Sequence, residues 1–129
     1  MENRYRPEYE PIRAYEDYPM RFFLRIPKEM IGWEDWQYLS IMAIVVYSLL
    51  WERALASKDN ESFHDHDGNP FVYFAQEDLA KMLRVSVQTV RRILNELEGA
   101  DLIHRKHQYL TMPDKIYVHD YFSNYRQDY

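Results

Sequence analysis

The chain has 129 residues, 47% apolar and 29% charged, with a formal net charge of −5 at pH 7. That is the length of one domain, sufficient for a real core and too apolar to be disordered throughout. It lacks cysteine, which excludes disulfides and thiol chemistry and fits a reducing, cytoplasmic setting.

Residues 1–19 contain four Tyr, three Arg and three Pro. Pro7, Pro11 and Pro19 forbid a continuous helix, so this is expected to be an arm, extended or disordered when alone. It lacks the apolar stretch of a secretory signal. RFFLRI, 21–26, suits a short strand or an extended packing segment, and Pro27 ends it. Ser40 then caps a helix predicted over 41–56. Its run IMAIVVYSLLW is too short to span a bilayer, which needs about 20 residues. The helix is therefore expected to be central and buried, with Glu52 and Arg53 at its more exposed end.

Residues 57–70, SKDNESFHDHDGNP, form a polar connection whose turn signal is Asp67-Gly68-Asn69-Pro70. FVYF at 71–74 is β-prone. A short helix is predicted over 76–83, a turn at Arg84-Val85, and a second helix, capped by Ser86, over 87–98. Gly99 stands where a helix end favours a left-handed residue. DLIHRK at 101–106 and KIYVHDYF from Lys115 read as strands around a polar loop at 107–114. Helix, turn, helix and hairpin within 20–120 describe a mainly α fold with a small antiparallel β wing, a winged helix-turn-helix. Residues 121–129 form a C-terminal tail.

On a helical wheel Val90, Ile93, Leu94 and Leu97 share one side of the 87–98 helix, with Val87 at its edge. Gln88, Arg92 and Asn95 lie opposite, flanked by Arg91, Thr89 and Glu96. An outward Arg can fork onto guanine, and Gln or Asn can pair with adenine. Gln88, Arg92 and Asn95 are thus the candidate base readers, with Arg91 as a flank. Ser86, Thr89 and the first-turn amides are candidates to hold a phosphate. Arg105, Lys106, His107 and Lys115 would set the wing against the backbone or minor groove. Glu96 is the misfit: it repels phosphate unless it pairs with Arg92 or faces away.

Charge is uneven. Residues 1–75 hold 8 basic and 13 acidic side chains, whereas residues 84–115 hold 6 basic and 4 acidic. The reading element is locally positive within an acidic chain, which permits a phosphate-facing surface. A surface helix also needs a polar face merely to be solvated, and winged helices serve as protein-interaction modules too.

Several residues carry a resemblance. Phe23 and Ile26-Pro27-Lys28 precede Leu39, Ser40, Ala43, Tyr47, Leu50 and Arg53, in the pattern L-S-x-x-A-x-x-x-Y-x-x-L-x-x-R. Asp67-Gly68 is followed by Tyr73-Phe74, then Glu96-Leu97, Asp101-Leu102-Ile103, Leu110, Pro113 and Ile116-Tyr117. In this order they resemble the N-terminal winged-helix domain of RepA-type replication initiators of low-GC Gram-positive plasmids, over about 21–118. The resemblance implies a homodimer that binds repeated double-stranded DNA sites at a plasmid origin, with helix 86–98 reading bases and the wing in support. Three features depart from that pattern. The arm is Tyr- and Glu-rich. Gln108-Tyr109 stands where a Gly usually precedes the wing Leu. The chain stops at Tyr129, where a linker to a C-terminal domain would begin, so recruitment of host replication proteins, the remaining candidate partners, is not carried over residue by residue.

His64-Asp65-His66 invites a metal reading, since alternate residues of an extended segment point one way. A polar turn with two exposed His is the simpler expectation, and neither a metal nor a cofactor is assigned. No carboxylate pair, phosphate-cradling Gly loop or Ser/His/Asp set is recognisable, so an enzyme is not expected. Three functions stay open: a replication initiator; a small transcriptional regulator using the same residues; and an oligomerisation module, in which Phe22, Phe23, Trp33 and Tyr47 build the interface. Trp33, Trp36 and Trp51 suit a dimer contact equally well.

Overall fold

The computed structural model describes residues 23–109 and 111–121. The expected arm at 1–19, Phe22, the wing residue Leu110 and positions 122–129 of the tail lie outside the described residues.

Ser40 opens the central helix as its chemistry demands. Its backbone is extended, and its Oγ accepts the Ala43 N–H at 3.2 Å, which satisfies one of the orphan amides of a helix start. That helix is α2, Ile41–Ser57, preceded by a short α1, Lys28–Gly32, and a 3-10 turn, Glu34–Trp36. Ala43, Val46, Tyr47, Ser48 and Leu50 of α2 have no exposure at all, but Ile41 is 64% exposed. The buried Ser48 hydroxyl donates back to the Ile44 carbonyl at 2.8 Å, so no polar atom is stranded. Residues 23–27 contain no strand. They run along the end of α2 instead, where the Arg25 N–H donates to Glu52 Oε1 at 3.2 Å and its guanidinium sits 5.8 Å from the Trp51 ring.

Helices α3, Gln76–Leu83, and α4, Val87–Gly99, follow the predicted spans within one residue. Both end in the same way. The Val85 N–H reaches the Ala80 carbonyl and the Leu102 N–H reaches the Leu97 carbonyl, each at 3.0 Å. The residues before them, Arg84 and Asp101, are left-handed with φ 59°. This is a six-to-one helix closure. It corrects the role expected of Gly99, which remains helical while Asp101 takes the positive φ.

β1, Ile103–Lys106, and β2, Lys115–Val118, pair antiparallel, with Ile103 opposite Val118, Arg105 opposite Ile116 and Lys106 opposite Lys115. The predicted strands are shorter than expected at the ends. FVYF contributes a single bridging residue: Val72 exchanges backbone hydrogen bonds of 2.8 and 2.9 Å with Ile116, on the free edge of β2. Val72, Leu79, Val90, Ile93, Leu94, Leu97, Leu102, Ile103 and Ile116 join α2 in one core. The element order and hairpin are those of a winged helix, and among the described residues no helix is long and apolar enough to cross a membrane.

The residues of the family-like pattern hold this core together. Tyr47 is fully buried, and its hydroxyl donates to the His119 carbonyl at 2.6 Å. Burial first, and then the negative charge of Asp120, push its phenol far above the usual range. Tyr47 therefore cannot form an oligomer surface, which corrects that part of the interface expectation. Arg53 donates to the Tyr73 carbonyl at 2.7 Å and lies 3.6 Å over the Phe74 ring, fastening 71–74 to α2.

Candidate nucleic-acid interface

The apolar side of α4 dictates what its polar side can do. Val90, Ile93, Leu94 and Leu97 are at most 1% exposed, so the helix cannot roll. Gln88, Arg91, Arg92 and Asn95 are consequently held outward and exposed. Ser86 caps α4 through its Oγ, which accepts the Thr89 N–H at 3.1 Å and lies 3.0 Å from Thr89 Oγ1. The Val87 and Gln88 amides are left without an acceptor among the described residues. Ser86, Gln88, Thr89 and Arg92 border one open hollow of about 380 Å³. The structure brings these four candidates together, and Arg92 has no hydrogen-bond or ion-pair partner among the described residues.

A second, larger groove of about 570 Å³ runs between α4 and the wing, bordered by Gln76, Arg91, Arg105, His107, Met112 and Asp114 among others. Arg91 is held toward it by Gln76, whose Oε1 accepts from Arg91 Nε at 3.1 Å. Arg105 is not the free wing cation that the sequence suggested. Its Nη2 donates to Asn95 Oδ1 at 2.6 Å and its Nε to Glu98 Oε1 at 2.5 Å, with the side chain only 16% exposed. The physical reason is strand alternation. Ile103 faces the core, so Arg105 two residues on faces the same way, onto α4. Asn95, expected as a base reader, is thus partly engaged by the wing.

Lys106 and Lys115 occupy the other face of the hairpin, directly opposite one another. Like charges so placed repel, and nothing in the core requires them. Lys115 Nζ rests 4.6 Å from the Phe71 ring centroid, while Lys106 has no partner among the described residues. His107 Nδ1 is 2.8 Å from Asp114 Oδ1 across the loop mouth. Arg84 was legible in sequence only as a turn residue. It is exposed and ends α3 two positions before the Ser86 cap.

Glu96 turns away. Its Oε1 accepts the Ser40 N–H at 2.6 Å and its Oε2 accepts the Ser40 hydroxyl at 3.1 Å. A carboxylate there also complements the positive end of α2. The misfit in the reading strip is therefore a clamp between α4 and the start of α2.

The His64-Asp65-His66 segment has other work. His64 Nε2 lies 3.1 and 3.0 Å from the Ser57 and Lys58 carbonyls at the end of α2. Asp65 Oδ1 accepts the Asp67 and Asn69 amides, and Oδ2 accepts the Tyr117 hydroxyl at 2.9 Å. The Asn69 amide, more than the Tyr117 hydroxyl, holds the Asp65 carboxyl below the usual carboxylate range. Burial, and then Asp65, raise the Tyr117 phenol. No group of three or more potential metal ligands occurs among the described residues.

An anchored helix with an exposed polar strip beside a β hairpin defines the class: a winged helix-turn-helix domain. Residues 22–129 match the family described as the N-terminus of replication initiator protein A, and the chain belongs to that family. Three solved structures share its fold at 23% identity, each matched over 88% of this chain. They are "N-Terminal domain of DNA binding protein" (TM-score 0.63, 92% of that chain), "Structure of Rep-DNA complex" (0.63, 93%) and "Structure of MDR initiator" (0.62, 96%). Comparison with curated protein sequences found no match.

Proposed function

We propose that this domain binds double-stranded DNA sequence-specifically in the initiation of plasmid or mobile-element replication, as a binding protein rather than an enzyme. The observation that carries the reading is the rigid anchoring of α4 with Gln88 and Arg92 outward and unblocked by any described residue. Membership of the initiator family supports it, and one structure of like fold is of a Rep–DNA complex. Gln88 and Arg92 read bases in the major groove. Asn95 joins them only on the side that Arg105 leaves free. Ser86, Thr89, Arg84 and the first-turn amides hold phosphate, and Lys106, His107 and Lys115 supply wing contacts. Arg105 positions the helix against the wing, and Arg91, held by Gln76, flanks the readers.

Two copies bind repeated half-sites as a homodimer. Ile31, Tyr38 and Ile41, each more than 60% exposed within eleven residues, suit that association. An acidic chain gains little from long-range attraction, so affinity leans on the second copy. Selecting duplexes from a random pool tests the reading. Arg92→Ala is expected to cost about 1–3 kcal/mol at its cognate base pair and to relax preference there. An unchanged preference removes Arg92 from the reading set, and failure to enrich any duplex removes DNA binding.

A further inference from the structure

We propose that Arg105 sets the base preference of Asn95, turning an amide suited to adenine into a hydrogen-bond donor that selects guanine. The proposal rests on the DNA-binding reading above and names what one of its readers recognises. Arg105 touches no base in it and is a positioning residue.

A free Asn side chain offers a carbonyl oxygen and an amino group side by side. That pair matches adenine, whose N6 amino donor lies beside the N7 acceptor. Asn95 is exposed on α4, but its oxygen is taken, since Oδ1 accepts from Arg105 Nη2 at 2.6 Å. A guanidinium carries only donors, so the amide atom facing it is the oxygen. What Asn95 has left for a base is its amino group. An adenine there would bring its amino hydrogens to an oxygen already bonded by a guanidinium, donor against donor. Guanine presents N7 and O6, both acceptors, and fits the amino group. Thymine presents O4 alone and fits less well.

Arg105 is not a loose cation for a phosphate to pull away. Its Nε donates to Glu98 Oε1 at 2.5 Å, and its side chain is only 16% exposed. Alternation from the buried Ile103 directs it onto α4. Leaving for a phosphate would break both bonds and uncover the Glu98 carboxylate beside DNA. Gln88 supplies an internal contrast. It is the longer homologue of the same amide, exposed, and no described residue bonds its side chain. Seven residues, about 10 Å of helix, separate it from Asn95, so the two meet different base pairs. Gln88 keeps both amide atoms and reads adenine, while Asn95 keeps one and reads guanine.

The test uses the full chain and the duplexes that wild type, Asn95→Ala and Arg105→Ala each select from a random pool. Asn95→Ala marks the pair that Asn95 meets, because preference should be lost there alone. At that pair wild type is expected to favour guanine over adenine by about five- to tenfold. Arg105→Ala releases the amide and should favour adenine by a similar factor, with the preferences read by Gln88 and Arg92 unmoved. 7-Deazaguanine, which lacks the N7 acceptor, should weaken wild type at that pair by about threefold and leave Asn95→Ala unaffected. Adenine favoured there by wild type, or the same base favoured with and without Arg105, overturns the proposal. So does an Asn95→Ala variant whose preferences match wild type. Each of these leaves DNA binding standing. Should Arg105→Ala not fold, the wild-type preference and the 7-deazaguanine arm decide. If wild type selects no duplex, both readings fall.

Discussion

Removing the Glu96 carboxylate should destabilise the domain and leave DNA binding alone. The structure gives the size. Glu96 accepts two hydrogen bonds from Ser40, at 2.6 and 3.1 Å. A bond to an ionised acceptor contributes about 1.5–3 kcal/mol when sheltered, and the charge adds about 0.3–1 kcal/mol at a helix start. Ser40 is exposed, so water replaces much of what Glu96→Ala removes. A loss of about 1–2 kcal/mol follows, or roughly 3–5 °C in Tm per kcal/mol for a chain of this length. Glu96→Gln keeps an acceptor and should fall between. Ser40→Ala also removes the Ala43 cap, so only the cycle with both substitutions isolates the contact.

Thermal unfolding and DNA titration on the same samples make the test decisive. If Glu96 lay in the reading strip, its charge would repel each phosphate at about 8 Å by roughly 0.5 kcal/mol in water. Deleting it would then tighten binding severalfold. The clamp instead predicts a lower Tm with affinity unchanged within about threefold. Tighter binding at an unchanged Tm refutes the assignment of Glu96 to Ser40.

Other substitutions test the rest. Gly99→Ala should stabilise by about 0.5–1 kcal/mol in thermal melts, because Gly99 is helical and a Cβ there meets nothing within 4 Å. Asp65→Asn should destabilise at pH 7. Because the folded Asp65 carboxyl lies below its ordinary 3.8, this contribution is present above that value and lost as pH falls through the folded one, so the two proteins' denaturant midpoints should converge in acid. Arg105→Ala should cost about 0.5–1.5 kcal/mol of stability, since it removes the bonds to Glu98 and Asn95. Lys106→Ala should leave stability within about 0.5 kcal/mol of wild type and lower the salt slope of DNA binding by about 1; the reverse pattern would exchange the roles of the two wing cations.

What the sequence could disclose depended on how local each cause is. Ser40 and Ser86 mark their helices because an N-cap acts within three residues. The helix ends are different. Arg84 and Asp101 take the left-handed turn because Val85 and Leu102 reach back to Ala80 and Leu97, and a search for Gly at that place finds the wrong residue. The short α1 lies below the length at which a helix announces itself by propensity. Only packing against α2 reveals it. The His64 ring reaches carbonyls six and seven residues back once the Phe71 N–H has bonded the Phe63 carbonyl and closed that loop, a contact invisible to any spacing rule. Arg105 was within reach: alternation from the buried Ile103 sets its direction. Counting it as charge rather than as the next inward residue of a strand assigned it to DNA.

The same distinction answers the paradox of an acidic DNA-binding domain. Net charge is a sum over a surface, whereas screening limits each charge to about 8 Å at physiological ionic strength. What matters near α4 is which charges are spoken for. Glu96 is held by Ser40, Glu98 by Arg105 and Asp114 by His107. Arg84, Arg92 and Lys106 have no acidic partner among the described residues, and Arg91 is held only by the neutral Gln76. Three carboxylates near α4 are thus paired within the fold while Arg84, Arg92 and Lys106 stay exposed, although Glu77 borders the groove beside Arg91. Such a surface attracts DNA only at short range, once the duplex is already docked. Such an arrangement favours contacts made after docking over long-range non-specific capture.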